Sequence, residues 1–311
     1  MHPVRLSQER ILFACLNWGY GHTARSISLL KQLSGQENEL FICCNSAQKA
    51  IFSNYGITAT YIVIEGFQFR FKGNGNFTSE MRRNAWRFSR AVKQEQKQVD
   101  KLVDEFHISL VLSDHCYGFR ATTIKSVFIT HQVFLPPKAG WIAQWIHRKW
   151  MKRFSEIWIM DEEHKRLAGV LSETVPKSSY IGFYSRFQNR EISLVPGKMV
   201  GIVSGPEPYS EQFFHWILEQ YGEEHLTLIT PRIYSEIPQH VTVITDWTRA
   251  DAEIASAETL ISRNGYSTLM DLQVLKKKAV LIPTPGQLEQ EYLAELKMDF
   301  DSTQSPFQVN L

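Results

Sequence analysis

The chain has 311 residues, 43% of them hydrophobic and 21% charged, with a formal net charge of +2. That length allows about two domains, and the composition is that of a globular protein rather than a disordered or fibrous one. The charge is too small to argue for a nucleic-acid partner, no apolar run reaches the roughly 18–20 residues of a membrane span, and Met1-His2-Pro3-Val4-Arg5 opens no secretory signal, so a cytoplasmic location is expected. Cys15, Cys43, Cys44 and Cys116 form no spaced metal-ligand set; they are expected as buried free thiols in a reducing compartment, with no metal and no bound cofactor.

Arg10 to Leu16 is a continuous apolar run, as expected of a central parallel strand. It leads into Asn17-Trp18-Gly19-Tyr20-Gly21-His22-Thr23-Ala24-Arg25 and then a helical pattern over 26–33. Gly19 and Gly21 let the backbone approach a ligand closely. His22, at the mouth of the helix, either serves as a general base or hydrogen-bonds the turn. Further strands are expected at 40–44, 61–64, 110–112, 127–130 and 156–160, separated by helices of which the longest spans about 79–106. This alternation predicts parallel sheets covered by helices on both faces.

Three places in this half invite chemistry. Asp114 and His115 follow a strand, and His131 follows the next, so all three are expected on carboxyl-end loops, lining an acceptor site or capping loop backbone. Segment 67–90 interleaves aromatic and basic residues in a pattern that suits a membrane surface, an anionic lipid head or a nucleic acid. In the stretch 141–154, the first turns place Trp141, Ile142, Trp145 and Ile146 on one side, with Arg148 and Lys149 close by. Tryptophan beside Lys and Arg favours a lipid headgroup region; the alternative is a helix packed on the sheet with a solvated basic end.

A polar stretch after Phe187 marks a domain boundary, giving domains 1–187 and 188–311. The α/β pattern then restarts, with strands expected at 198–203, 226–230, 241–244, 259–261 and 279–282. Ser204 and Gly205 open a loop after the first of these that could cradle phosphate through backbone N–H groups. Ser262-Arg263-Asn264-Gly265-Tyr266-Ser267-Thr268-Leu269-Met270-Asp271 follows the fourth. Gly265 is expected in a tight turn with positive φ and Ser267 and Thr268 as helix caps, which places an anion site at the helix N-terminus, with Asp271 one turn on as a partner for a diol. The loop after the last strand carries Gln287, Glu289 and Gln290. Capping alone also accounts for Ser267 and Thr268.

A Gly-x-Gly-His loop after the first strand, combined with a late Arg-x-Gly-x-Ser-Thr…Asp segment, resembles the two-domain GT-B nucleotide-sugar glycosyltransferases. The group is family 28, MurG-like, typified by a transferase of cell-envelope peptidoglycan synthesis. The resemblance implies an α/β GT-B fold, two Rossmann-like domains with parallel sheets facing across a cleft. It implies donor binding by Ser204, Gly205, Arg263, Gly265, Ser267, Thr268, Asp271, Gln287, Glu289 and Gln290, with Asp271 standing where the family has a glutamate. His22 matches the position of the base, with Asp114 as second choice, and Gly19, Gly21, His115 and His131 lie on the acceptor side. The implied reaction is an inverting, metal-independent transfer from a UDP-sugar, UDP-N-acetylglucosamine first, to an acceptor hydroxyl that is often lipid-linked. Peripheral membrane contact would fall on Trp141, Trp145, Arg148 and Lys149. Because family members continue through further helices after the position of Ala294, a non-catalytic nucleotide- or lipid-binding relative is one alternative, and a sugar epimerase of the UDP-N-acetylglucosamine type is another. A dinucleotide oxidoreductase is disfavoured because the first turn lacks the GxGxxG spacing.

Overall fold

The computed structural model describes residues 2–17, 20–64, 85–164, 166–188, 190, 193–300 and 307–309. The chain divides into two compact units, with the boundary between Arg186 and Phe187. Each is built on one parallel sheet, so the fold class is α/β.

The first unit holds β1 (Arg10–Cys15), β2 (Glu39–Cys44), β3 (Thr60–Val63), β4 (Leu110–Asp114), β5 (Lys125–Thr130), β6 (Glu156–Ile159) and β7 (Ser178–Tyr180). Their spatial order is β3-β2-β1-β4-β5-β6-β7. The central strands read as near-unbroken apolar runs because both of their faces are covered: every residue from Ile11 to Cys15 and from Leu110 to Asp114 is buried. β1 lies beside β4, with Cys15 opposite Asp114. The winding therefore reverses between these two strands, and a doubly wound sheet offers its ligand crevice at the carboxyl ends of such a pair.

The helices are α1 (Tyr20–Ser34), α2 (Ser46–Asn54), α3 (Ala85–Glu105) and α4 (Trp141–Met151). Asn45 starts α2 through a reciprocal capping box with Gln48. On α3, Val92, Val99 and Val103 recur at helical spacing. Val99 and Val103 bury against Leu12, Phe41, Val111 and Phe119. The segment 67–84 singled out in the sequence lies outside the described residues.

The second unit holds β8 (Met199–Ile202), β9 (Leu226–Ile229), β10 (Thr242–Ile244), β11 (Thr259–Arg263), β12 (Lys278–Ile282) and β13 (Phe307–Val309), in the order β10-β9-β8-β11-β12-β13. Its helices are α5 (Tyr209–Tyr221), α6 (Trp247–Ser256), α7 (Tyr266–Leu275) and α8 (Leu288–Phe300). Phe213, Phe214 and Ile217 of α5 pack on Leu226, Leu228 and Ile261.

Two strands depart from the sequence expectation. β7 and β13 are each three residues long, too short for a periodic pattern, and are defined by pairing alone. β13 falls in a tail that reads as patternless, yet it runs parallel to β12 with Phe307 opposite Ala279.

Gly118, in the loop after β4, sits hard against α3: a Cβ there would lie 2.3 Å from the Val92 carbonyl oxygen and 2.5 Å from Glu95 Oε2. The Gly118 N–H donates to the Glu95 carboxyl, and burial pushes that carboxyl up from 4.5 to about 7. Folding thus takes up a proton between those two values, and Glu95 favours the native state less as pH rises through that window. Glu95→Gln keeps an acceptor for Gly118 and removes the buried charge. Chemical denaturation is expected to find the variant more stable than the parent by ~1–3 kcal/mol at pH 8, with the two equal near pH 4.5. Equal stability at both pH values would contradict this.

Candidate functional site

In the first unit, the carboxyl ends of three adjacent strands converge. His22 follows β1 in the first turns of α1, Asp114 ends β4, and His131 follows β5. Asp114 is 1% exposed and binds two cation-capable groups at once. Arg25 Nε donates to its Oδ2 at 2.8 Å, and Arg25 Nη2 donates to Oδ1, closing a bidentate pair. His22 Nδ1 lies 3.2 Å from the same Oδ1. Ser26, one turn further on, reaches Oδ2 at 3.5 Å.

Burial by itself would raise the Asp114 carboxyl. Arg25 and His22 outweigh burial and hold it well below the carboxylate range. Burial and then the Arg25 charge lower the His22 imidazole, against an opposing pull from Asp114. His22 is therefore neutral at pH 7, with Nδ1–H donating to Asp114. Its side chain is 21% exposed, and among the described residues Nε2 has no hydrogen-bond partner. A neutral imidazole with one nitrogen fixed by a carboxylate has the chemistry to take up a proton at the other.

Arg25 also donates from Nη1 to His131 Nδ1 at 2.8 Å, which leaves the His131 proton on Nε2. His115 has φ +61, unusual for a residue with a side chain, and its Nε2 is 2.6 Å from Thr130 Oγ1. Its ring stands edge-on to His22 at 5.1 Å and 5.4 Å from His131. Burial and then its histidine neighbours hold His115 well below its ordinary value. His22, Asp114, His115 and His131 thus form one cluster. Arg25 is the member missing from the sequence-derived set. Its signal was legible: three residues after His22 on a helix, it must share that face. Gly21 falls in the first turn of α1, and Gly19 lies outside the described residues.

The α4 helix is tied to the same loops. His147 Nδ1 meets the Tyr117 hydroxyl at 2.6 Å, and Nε2 donates to the carbonyls of Gln132 and Val133 at 3.0 and 3.1 Å. His147 and Met151 are the buried side of this helix. Trp141, Trp145, Arg148 and Lys149 are all exposed on the other.

In the second unit, the loops after β8, β11 and β12 share one sheet edge, since these strands are neighbours. They carry Ser204 and Gly205, Asn264 to Thr268, and Pro283 to Gln287. The positive φ is at Gly205, +111°, with no atom within 4 Å of where a Cβ would stand. Gly265 is a correction: it has φ −84°, in extended backbone, and is itself the N-cap of α7. Ser267 and Thr268 are corrected with it, because they lie inside the first helical turn and do not cap it. No side chain caps α7. Ser267 and Asp271 are four residues apart and share a face of this helix.

Arg263 is also placed differently from a ligand-facing cation. It is 7% exposed, donates to the carbonyls of Pro283 at 3.1 Å and Tyr209 at 3.2 Å, and stacks 4.1 Å over the Phe213 ring. It clamps the loop after β12 and the start of α5 from beneath, and burial lowers it to about 10. Gln290 is another brace: its Oε1 accepts from the Thr284 N–H at 2.7 Å, and its carbonyl accepts from Asn264 Nδ2 at 3.0 Å. Gln287 and Glu289 are half-buried beside it. Glu207, in the loop after β8, is held by the Tyr234 hydroxyl at 2.5 Å and by Arg232 at 3.1 Å. Ser262 Oγ, Arg263 Nε and Asn264 Oδ1 are buried without a protein partner, three consecutive residues at the end of β11. Buried polar atoms are rarely left so.

Residues 201–296 match the glycosyltransferase family 28 C-terminal domain. Among solved structures, the glycotransferase of kitacinnamycin superposes with TM-score 0.62 at 13% identity, covering 98% of this chain and 87% of that one. The spinosyn rhamnosyltransferase SpnG gives 0.63 at 13% identity, with 92% and 84% covered, and also matches in its complexes with thymidine diphosphate and with spinosyn aglycone. SnogD, a glycosyltransferase from Streptomyces nogalater, gives 0.60 at 13% identity, with 98% and 87% covered. No curated protein matches in sequence. The fold is thus GT-B, and the family 28 match falls within the second unit.

The Arg25–Asp114 pair generates a stability prediction. Arg25→Ala leaves a buried carboxylate with only neutral partners, His22 and Ser26, and denaturation is expected to show a loss of ~3–5 kcal/mol at pH 7. Because the Asp114 carboxyl is depressed, the pair stabilises above about pH 4 and its contribution fades as pH falls further. Arg25→Ala combined with Asp114→Asn should recover most of the loss, since no buried charge then remains.

Proposed function

We propose that this protein is a glycosyltransferase that moves a sugar from a nucleoside diphosphate to an acceptor hydroxyl, with inversion and without a metal. The observation that carries this is the His22–Asp114 pair at the reversal point of the first sheet, with His22 Nε2 lacking a hydrogen-bond partner among the described residues. The second unit is assigned the donor, on the strength of its family 28 match and the three loops that Arg263 and Gln290 hold together.

The chemistry follows from these residues. His22 Nε2 takes the proton of the acceptor hydroxyl, and the oxygen attacks the anomeric carbon. The bond from that carbon to the diphosphate oxygen breaks, and the diphosphate leaves with the electron pair. Asp114 steadies the imidazolium that forms. The leaving charge is met by the N–H groups at the first turn of α7, of which Ser267 and Thr268 supply two, and by the Ser204–Gly205 backbone. Asp271 is assigned the ribose diol. A UDP-sugar, UDP-N-acetylglucosamine first, is the proposed donor. The thymidine diphosphate complex of SpnG makes TDP the second nucleotide to test. The proposed acceptor is lipid-linked.

Calorimetric titration with UDP, TDP, ADP and GDP tests the donor assignment. Selective binding that Asp271→Ala weakens supports it; binding of none of them overturns the proposal. His22→Ala is expected to keep nucleotide affinity and lose ~10²–10⁴-fold in turnover. Full activity in that variant would move the base to another residue, and conversion of the donor without any acceptor would indicate an epimerase. Because His22 is lowered from 6.5, the acid limb of kcat/KM should lie below pH 6.5.

A further inference from the structure

Tyr117, in the loop after β4, packs its ring among three aromatic side chains. It stacks on Phe128 of β5 at 5.3 Å, with Trp150 of α4 at 5.0 Å and Phe88 of α3 edge-on at 6.2 Å. That packing would seat a phenylalanine equally well. The hydroxyl serves another end: it donates to His147 Nδ1 at 2.6 Å.

From His147 a line of hydrogen bonds runs back to the loop it started from. His147 is buried, and burial lowers it to about 4, so the imidazole is neutral at pH 7. Accepting from Tyr117 at Nδ1 puts its proton on Nε2, which donates to the Gln132 carbonyl at 3.0 Å and to that of Val133 at 3.1 Å. The Gln132 N–H donates to Thr130 Oγ1 at 2.8 Å, and Thr130 Oγ1 lies 2.6 Å from His115 Nε2. With one lone pair taken by Gln132, the Thr130 hydroxyl directs its own proton to His115. His115 is two residues before Tyr117, so the circuit closes with every donor pointing the same way round.

The hydrogen-bond partners of His147 all lie in the loops after β4 and β5, which carry His115 and His131. A buried imidazole is costly unless it is bonded, and once bonded it admits one arrangement rather than a sliding contact. His115 has need of such restraint. Its φ of +61° is one that a residue with a side chain holds only when its surroundings over-determine it.

We infer that Tyr117 and His147 are positioning residues: their circuit fixes the loops after β4 and β5 to one another and holds His115 as the Nδ1–H tautomer. On the transfer proposal, which this consequence rests on, His115 is part of the wall beside His22, ring to ring at 5.1 Å, and the circuit sets where an acceptor hydroxyl can stand. The circuit itself is independent of that proposal.

The test is long-range proton–nitrogen NMR of the imidazoles at pH 7 in wild type, Tyr117→Phe and His147→Gln, with thermal melting alongside. Tyr117→Phe keeps the ring packing and removes a single link. Wild type is expected to show His147 protonated on Nε2 and His115 on Nδ1. Both variants should move the His115 nitrogens toward a mixture of tautomers, while His215, His225 and His240 of the second unit keep their signals. A merely structural role would lower the melting temperature and leave the His115 signals in place, and that result overturns the inference. Wild-type His115 protonated on Nε2 overturns it as well. The spectra decide the matter even if no sugar is transferred, an outcome that would sink the transfer proposal alone. Where wild type does transfer, Tyr117→Phe is expected to lose ~10-fold in kcat/KM for the acceptor with nucleotide affinity unchanged. Undiminished kcat/KM beside altered His115 signals would overturn the positioning role in transfer.

Discussion

The first unit depends on one ion pair. Arg25 and Asp114 are each 1% exposed in their side chains, and neither charge could be buried alone. Their bidentate contact fixes how α1 lies across the end of β4. Because His22 is on the same helix, three residues earlier, that contact also sets where its imidazole stands. The arrangement has an opposing effect on reactivity. Arg25 takes part of the Asp114 charge that would otherwise strengthen His22 as a base, and it lowers the imidazole further by its own charge. What results is a base that is unprotonated at neutral pH but only modestly strong.

The second unit handles a buried guanidinium in the opposite way. Arg263 has no carboxylate partner among the described residues; its charge is met by two backbone carbonyls and the face of Phe213. Carbonyl partners suit a loop clamp, since they fix backbone rather than another mobile side chain. The cost is visible in the lowered basicity of Arg263 and in its unpartnered Nε. Replacing it by lysine would supply the charge without the fork that spans two loops.

Much of this was legible in the sequence. The buried strands announce themselves as apolar runs, and His22, Asp114, His115 and His131 each follow such a run, so their meeting at one sheet edge follows from strand adjacency. What could not be read was which strands are neighbours. The β1–β4 pairing is a tertiary fact, and without it Arg25 has no visible partner 89 residues away. Arg263 misled for a related reason. Its place beside a glycine turn looks like that of a ligand-facing cation, whereas the carbonyls of Pro283 and Tyr209 that claim it come from other loops. Gly265 misled locally: its type permits positive φ, but the chain needed only an extended residue before the helix. The short strands β7 and β13 exist through their partners and leave no pattern of their own.

The bare start of α7 has a further consequence. A serine or aspartate in place of Gly265 would cap the helix with its side chain and add roughly a few tenths of a kcal/mol of stability. The chain forgoes this, and no side chain caps the first turn of the helix. If a nucleoside diphosphate occupies the N–H groups of that turn, the ligand is itself the missing cap, and binding and local folding become one equilibrium. Amide exchange in this turn would then report occupancy, slowing as ligand is added. A variant engineered for heat resistance by capping this helix would compete with its own substrate, so here robustness and affinity draw on the same few hydrogen-bond donors.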